Sequence, residues 1–345
     1  MERVYAALAR VPMFEGVRRE AIELLPLGSL TNSTYKVTMG GASYALRLPG
    51  KDTSDYIDRT AEEHNARAAT AAGVNAGILY LDARNGTMLS EFIEGTAMNE
   101  EKFGRGPYMP VRAALTLRRV HRLGPVFRTR FDVFALLENY RKIMRGLRMP
   151  VPVAGDAAVR RGAKAIRRAL EASPANLLPC HNDPWPGNFV DAGERLYLID
   201  WEFSGMNDPM WDLADLSVEA RFDAEQDRTM MEAYHGGPVS SPALDSRLEL
   251  YKVMSDLLWA FWGFIQVAND NPRDDFPSYA RNRFERCEAR MSGPDFQHHL
   301  NAVRGSRRRS VSKPVRPTAA DRAIPVLREP HGDDRRVVNA PPPAL

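Results

Sequence analysis

Cysteine is scarce in this 345-residue chain. Cys180 and Cys287 alone can build neither a disulfide framework nor a four-thiolate zinc site, and they read as idle thiols of a reducing compartment. Long apolar runs are scarce too. The most apolar uncharged stretch, residues 257–268, falls short of the roughly 20 residues that span a bilayer, so no membrane insertion is expected. The segment Met1–Arg10 has neither a long apolar core nor a cleavage pattern, which makes a cytoplasmic location the expectation. Neither sign of charge dominates. Forty-seven Lys and Arg against 44 Asp and Glu leave +3, too little for nucleic-acid binding by the whole chain, and no nucleic-acid partner is expected. With 44% hydrophobic and 26% charged residues, the composition is that of a globular protein and excludes wholesale disorder.

What charge there is, is unevenly placed. Residues 304–345 hold ten Arg and Lys, four Asp and Glu and seven prolines, a local excess of +6 that leaves the remainder at −3. Such a segment buries too little apolar surface to offset its ordering entropy, so it reads as a disordered, basic, Pro-rich tail. Before it, the chain divides near residues 94–103. Residues 1–94 read as strand-rich: strands over 27–38 and 43–49 flank Met39-Gly40-Gly41, an Ala-rich helix runs over 60–72 to Gly73, and short strands follow over 77–81 and 87–92. Residues 95–303 read as mainly helical, with helices over 111–123, 131–146, 157–172, 212–220 and 248–268.

The chemistry concentrates in residues 177–212. In His181-Asn182-Asp183-Pro184-Trp185-Pro186-Gly187-Asn188, two prolines and a glycine oppose regular structure and put the polar side chains on a rigid loop. Leu196-Tyr197-Leu198-Ile199 then reads as a buried strand that delivers Asp200. Taken singly, Asp183 and Asn188 read as turn residues and Asp200 as a strand cap. Taken together, a carboxylate, an amide five residues on and a second carboxylate after a strand suit a hard cation beside a polar reaction. Phosphoryl transfer needs that set: one carboxylate to orient the attacking hydroxyl, an amide and a carboxylate to hold magnesium on the phosphates.

His181-x-Asp183 with Asn188, followed by Ile199-Asp200-Trp201-Glu202, resembles the signature of the choline/ethanolamine kinases, relatives of the aminoglycoside phosphotransferases. The likeness runs over roughly residues 25–290. It implies an α+β, two-lobed protein-kinase-like fold, with a nucleotide-binding lobe over 1–94 and a catalytic and substrate lobe over 95–303. It further implies Asp183 as catalytic base, Asn188 and Asp200 as ligands of Mg2+, and ATP as co-substrate. Pro184-Trp185 stands where relatives have an aliphatic residue, leaving the polar residues in place. The segment Leu27–Val37 resembles the family's phosphate-covering hairpin, with Gly28, Ser29, Thr31 and Asn32 around the nucleotide, though it has a single glycine. Arg47 stands where relatives place a phosphate-contacting cation, Glu62 matches its ion-pair partner, and Glu91 and Ile93 fall at the connection that would hold adenine.

The acceptor must be read elsewhere, because this fold serves several hydroxyl substrates. Asp212, Asp215 and Glu219 recur at i, i+3 and i+7 on one helix face, and Trp259 and Trp262 lie three apart on a later helix. By spacing alone the tryptophans read as core. The resemblance, continued through Tyr279-Ala280-Arg281-Asn282-Arg283-Phe284, makes Trp259, Trp262, Tyr279, Phe203 and Glu219 the walls of a choline pocket. Aromatic faces with a carboxylate suit a cationic amino alcohol. The expected acceptor is choline, with ethanolamine and thiamine open. An aminoglycoside-type phosphotransferase and a catalytically idle kinase-fold binding module are the competing readings.

Overall fold

The computed structural model describes residues 1–28, 32–50, 57–104, 108–148 and 155–306. Ser29 and Thr31, and all but the first three residues of the expected tail, lie outside these. Helix α1 (Glu2–Leu8) leads through two short 3-10 turns into β1 (Ile22–Leu27), β2 (Ser33–Met39) and β3 (Ala42–Leu48). Met39 pairs with Ala42, so Gly40 and Gly41 alone make the turn. Their φ values of +60° and +81° are what a two-residue hairpin of this hand requires. Helix α2 (Arg59–Ala71) starts at Asp58, whose carboxylate accepts the amides of Thr60 and Ala61, and β4 (Ile78–Asp82) and β5 (Thr87–Glu91) complete an antiparallel sheet ordered β1-β2-β3-β5-β4.

Sequence reading had placed one strand over 27–38. The chain instead turns between β1 and β2, with Leu27 opposite Thr34, because the apolar run of Ile22–Leu27 forms an edge strand of its own. Beneath this sheet, Val4, Leu8 and Phe14 pack on Val37, Leu46 and Leu89.

Strand β6 (Thr96–Ala97) and helices α3 (Glu100–Phe103), α4 (Tyr108–Leu123), α5 (Val133–Gly146) and α6 (Asp156–Ala172) open the second, mainly helical part. Four short strands follow: β7 (Leu178–Cys180), β8 (Phe189–Asp191), β9 (Leu196–Leu198) and β10 (Gly205–Asn207). They form the ladders β6-β8-β9 and β7-β10 that frame the loop of residues 181–188. Gly95 passes so close to this frame that a Cβ there would meet Asp191 O at 2.6 Å.

Helices α7 (Pro209–Glu219), α8 (Ala224–His235), α9 (Pro242–Ala268), α10 (Phe276–Ser292) and α11 (Phe296–Gly305) close the chain. The strongly apolar α9 is buried along nearly its whole length, as a helix hydrophobic all round must be. Three of these helices, α8, α10 and α11, were not expected. In α10 the apolar stripe of Phe276, Ala280, Phe284 and Cys287 is interleaved with arginines and glutamates that hide it. No helix among the described residues is long and apolar enough to cross a membrane.

The contact between α9 and α10 depends on Gly263, where a Cβ would lie 2.9 Å from both Ala280 Cβ and Tyr279 Cδ1. Gly263→Val should therefore destabilise the protein by about 1–3 kcal/mol through overpacking, read as a lower urea midpoint at unchanged m-value. An unchanged midpoint would show that the two helices separate freely.

Candidate active site

The loop of residues 181–188 is held from beneath by one buried carboxylate. Asp212, in the first turns of α7, accepts the amides of His181 and Asn182, each at 2.8 Å, and meets His121 Nε2 at 3.0 Å. Asn182 sits in the left-handed region at φ +69°. Its side chain explains why that conformation persists: Nδ2 donates to Phe203 O at 3.0 Å, Oδ1 accepts Asn207 Nδ2 at 2.9 Å, and its carbonyl accepts Trp211 Nε1 at 3.0 Å. The His181 ring meets Ile199 O at 2.9 Å, tying the loop to the end of β9. The loop is not wholly irregular, since Pro186–Asn188 make one 3-10 turn. Half-exposed Trp185 lies flat against Gly187, where a Cβ would come within 2.0 Å of its ring.

This frame brings Asp183, Asn188 and Asp200 together. Asn188 Nδ2 donates to Asp183 O at 3.0 Å and lies 3.5 Å from Asp183 Oδ2. The Ile199 amide donates to Asn188 O at 2.9 Å, which sets the next residue, Asp200, beside Asn188. Asp200 is also left-handed, at φ +67°, which turns its carboxylate away from the strand path and toward Arg47. Burial, then the charges of Asp215, Glu219, Asp200 and Glu202, push the Asp183 carboxyl well above its ordinary range.

Arg47 is the cation of the group. Buried on β3, it lies 2.5 Å from Glu62 Oε1, 3.0 Å from Asp200 Oδ1 and 3.2 Å from Gly86 O. Arg59 repeats the pattern one layer out, 2.8 Å from Glu62 Oε2 and 3.1 Å from Glu202 Oε2. Burial opposes the Arg47 charge, but Glu62, Asp200 and Glu202 together hold its pKa above the usual guanidinium value. Glu202 is raised to about 7 by burial and by Asp200, against the pull of Arg47. Two largely buried arginines thus serve three carboxylates, and β3, α2 and the strand end after β9 are joined by charge.

At the end of β1 and the start of β2, Gly28 is exposed with open space around it, and Asn32 is buried, its Oδ1 accepting the Gly50 amide at 3.2 Å. Arg273, on the loop between α9 and α10, donates to Asn32 O across the cleft. Glu91 closes β5, its Oε2 accepting the Gly77 amide at 3.3 Å, and Ile93 is half-buried on the connection to β6. Lys36 crosses that connection, pairing with Glu94 at 2.8 Å and lying 4.1 Å above the Phe92 ring.

The aromatic residues form one continuous edge-to-face cluster. Phe203 meets Trp259 at 5.4 Å between centroids, Trp259 meets Trp262 at 6.1 Å, and Trp262 meets Tyr279 at 5.9 Å. Phe276, which sequence reading missed, closes on Trp262 at 5.4 Å. The three acidic residues of α7 have separate tasks. Asp212 holds the loop, Glu219 pairs with Arg283 at 2.6 Å, and Asp215 lies between, against Trp259. Arg283, also missed, stacks 4.5 Å above the Tyr279 ring. The i, i+3, i+7 spacing carried the signal for the acids, but nothing in one sequence assigns each its partner.

With this geometry in hand, the chain was compared with known proteins. The phosphotransferase enzyme family matches residues 23–250. Among solved structures, a choline/ethanolamine kinase family protein from Mesorhizobium loti is 45% identical, with 88% of this chain and 98% of that one covered at a TM-score of 0.77. The choline kinase LicA from Streptococcus pneumoniae is 25% identical over 84% of this chain and 99% of its own, at 0.72. A LicA structure in complex with AMP is 27% identical over 81% and 96%, at 0.68.

Asp183 costs the empty protein stability while it is ionised. A raised folded-state pKa penalises the fold at high pH, and the penalty fades as pH falls toward the unfolded-chain value, where the carboxyl is neutral in both states. Asp183→Asn should therefore melt about 2–4 °C higher than wild type at pH 8, with the gap closing toward pH 4. Equal melting temperatures at pH 8 would contradict the electrostatic account.

Proposed function

The chain belongs to the phosphotransferase enzyme family, in its choline/ethanolamine kinase branch, and from that premise we propose that it transfers the terminal phosphate of ATP to the hydroxyl of choline or a similar amino alcohol. The observation that carries this reading is the convergence of Asp183, Asn188 and Asp200 beside Arg47. The AMP complex of a LicA relative supports ATP as the donor.

In this reading the nucleotide lies between Gly28 and Asn32, at the facing ends of β1 and β2, and the connection at Glu91 and Ile93; Ser29 and Thr31, expected beside them, lie outside the described residues. The donor set fits a hard cation. Asn188 spends its amide N–H on Asp183 O, and its Oδ1 accepts no hydrogen bond among the described residues. Asp200 adds carboxylate oxygen, the ligand type that magnesium takes. Asn188 and Asp200 would hold Mg2+, which supplies neutralisation of charge on the phosphate oxygens. Arg47, kept protonated by its three carboxylates and positioned by Glu62, adds a fixed positive charge at the same place.

Asp183 orients the acceptor hydroxyl and takes its proton as the new bond forms. Its raised affinity for a proton suits it to that acceptance, and the tethers from Asp212 and Asn188 hold it without reorganisation. The transition state of such transfers is loose, so alignment outweighs basicity. Trp259, Trp262, Phe203 and Tyr279 enclose the acceptor's cationic end, with Glu219 at the margin. The residue ranges 1–94 and 95–303 then serve as nucleotide and acceptor lobes, with 304–345 as an appendage.

Asp183→Ala should lower turnover by about 10²–10⁴-fold while nucleotide affinity stays near wild type, measured by coupled ADP release and by nucleotide titration. Turnover equal to wild type would remove Asp183 from the base role. Trp259→Ala should raise the acceptor KM by about 5- to 30-fold with a smaller effect on kcat. Unchanged acceptor saturation in a folded variant would exclude the aromatic enclosure. A panel of amino alcohols and aminoglycosides with product identification separates the acceptor classes, and magnesium-dependent ATP use absent from every member would favour the idle binding module.

A further inference from the structure

Resting on the acceptor site just described, we propose that Asp215 is the residue that receives the acceptor's ammonium, and that it selects amines that keep an N–H over quaternary ones. Asp215 is wholly buried in α7. One of its oxygens is fully used: Oδ1 accepts Ser255 Oγ at 2.6 Å and Trp259 Nε1 at 2.7 Å. The other, Oδ2, has no hydrogen-bond partner among the described residues. The two bonds to Oδ1 come from α9 and fix the rotation of the carboxylate, so the direction of Oδ2 is set in advance.

Its neighbours neutralise it only in part: Arg283 acts on it through its charge without forming an ion pair with it, and Ser255 and Trp259 bond one oxygen alone. Glu219 has Arg283 at 2.6 Å, and Asp256 has Arg286 with Arg283 at 3.7 Å, so these arginines of α10 form their ion pairs with other acids, although Arg283 Nη1 has no hydrogen-bond partner among the described residues. Asp215 forms no ion pair among the described residues. An unpaired buried carboxylate with a bare oxygen is costly unless a ligand brings a compensating charge and donor. The surroundings say what ligand. Trp259, whose indole N–H is spent on Asp215, meets Phe203 and Trp262 by its ring, and Asp183 feels the charge of Asp215 more than that of any other acid. A small cation between them, with a hydroxyl reaching Asp183, satisfies both ends.

Aromatic faces attract any ammonium, methylated or not. A bare carboxylate oxygen adds something only for an ammonium with a proton to donate, since a trimethylammonium presents methyl groups alone. The acceptor class that Asp215 favours is therefore the protonated primary, secondary or tertiary amino alcohol.

The test is a matched series of ethanolamine, N-methylethanolamine, N,N-dimethylethanolamine and choline with wild type and Asp215→Asn. Asparagine keeps an oxygen for Ser255 and Trp259 and puts N–H groups where Oδ2 was. For wild type, kcat/KM should favour the N–H-bearing members over choline by about tenfold. In Asp215→Asn that preference should collapse to about twofold, mainly through KM, with ATP affinity retained and a melting temperature no lower than wild type. A wild type that prefers choline, or a variant that loses all four acceptors by one common factor, overturns the selection. Amine binding without ATP, followed by calorimetry with ethanolamine and choline on both proteins, reports on Asp215 even if no member is phosphorylated. In that case it is the phosphotransfer reading that fails, while retention of ethanolamine binding by Asp215→Asn would still sink the assignment of Asp215.

Discussion

One buried carboxylate sets the geometry on which the rest depends. Asp212 accepts two consecutive backbone amides, of His181 and Asn182, and so fixes the start of the loop that carries Asp183 and Asn188. Two successive N–H groups are taken up by the two oxygens of this one carboxylate, and the left-handed Asn182 then turns the chain into Asp183. From there the order is transmitted by short links: Asn188 to the Asp183 carbonyl, Ile199 to Asn188, and Asp200 to Arg47. No element longer than three residues intervenes between Cys180 and Asn207. Precision at the centre comes from hydrogen bonds rather than from long secondary structure, while the apolar mass around α9 supplies rigidity at a distance.

Charge supplies the second constraint. Five acids and two arginines meet where β3, α2, the loop and α7 converge, and the arginines stand on one side, against Glu62, Asp200 and Glu202. Asp183 and Asp215 stand on the other, where burial raises both, with the charge of Asp215 adding to it at Asp183 and that of Glu219 at Asp215. The cleft is divided into a half where acids and arginines form ion pairs and a half where Asp183 and Asp215 form none among the described residues. That division is a property of packing, because of these five acids only Asp200 and Glu202 lie close together in the chain.

Much of this was legible in the sequence for definite reasons. Strands β3, β4 and β5 and helices α2, α4, α5, α6 and α9 show their apolar periods plainly, and the Pro- and Gly-studded octet marks the loop as special. The family likeness named the fold and the chemical class, and the comparisons bear both out. Hidden elements share one property: their apolar stripe is diluted. Helix α10 buries Arg283 among its apolar residues, and β1 is an edge strand with half its side chains in solvent. Pairing was less legible than position. Asp212, Asp215 and Glu219 could be put on one helix face from spacing, but their partners, the 181–182 amides, Trp259 with Ser255, and Arg283, come from segments 30 or more residues away.

The unpartnered oxygen of Asp215 and the left-handed Asn182 and Asp200 have a joint consequence for how such a chain ages under mutation. Each departs from the local energetic optimum, and each sits in the cleft. Random substitution followed by screening for thermal robustness alone would erase them first, swapping acid for amide and Asn182 or Asp200 for glycine. The sturdiest descendant of this scaffold would be a silent one.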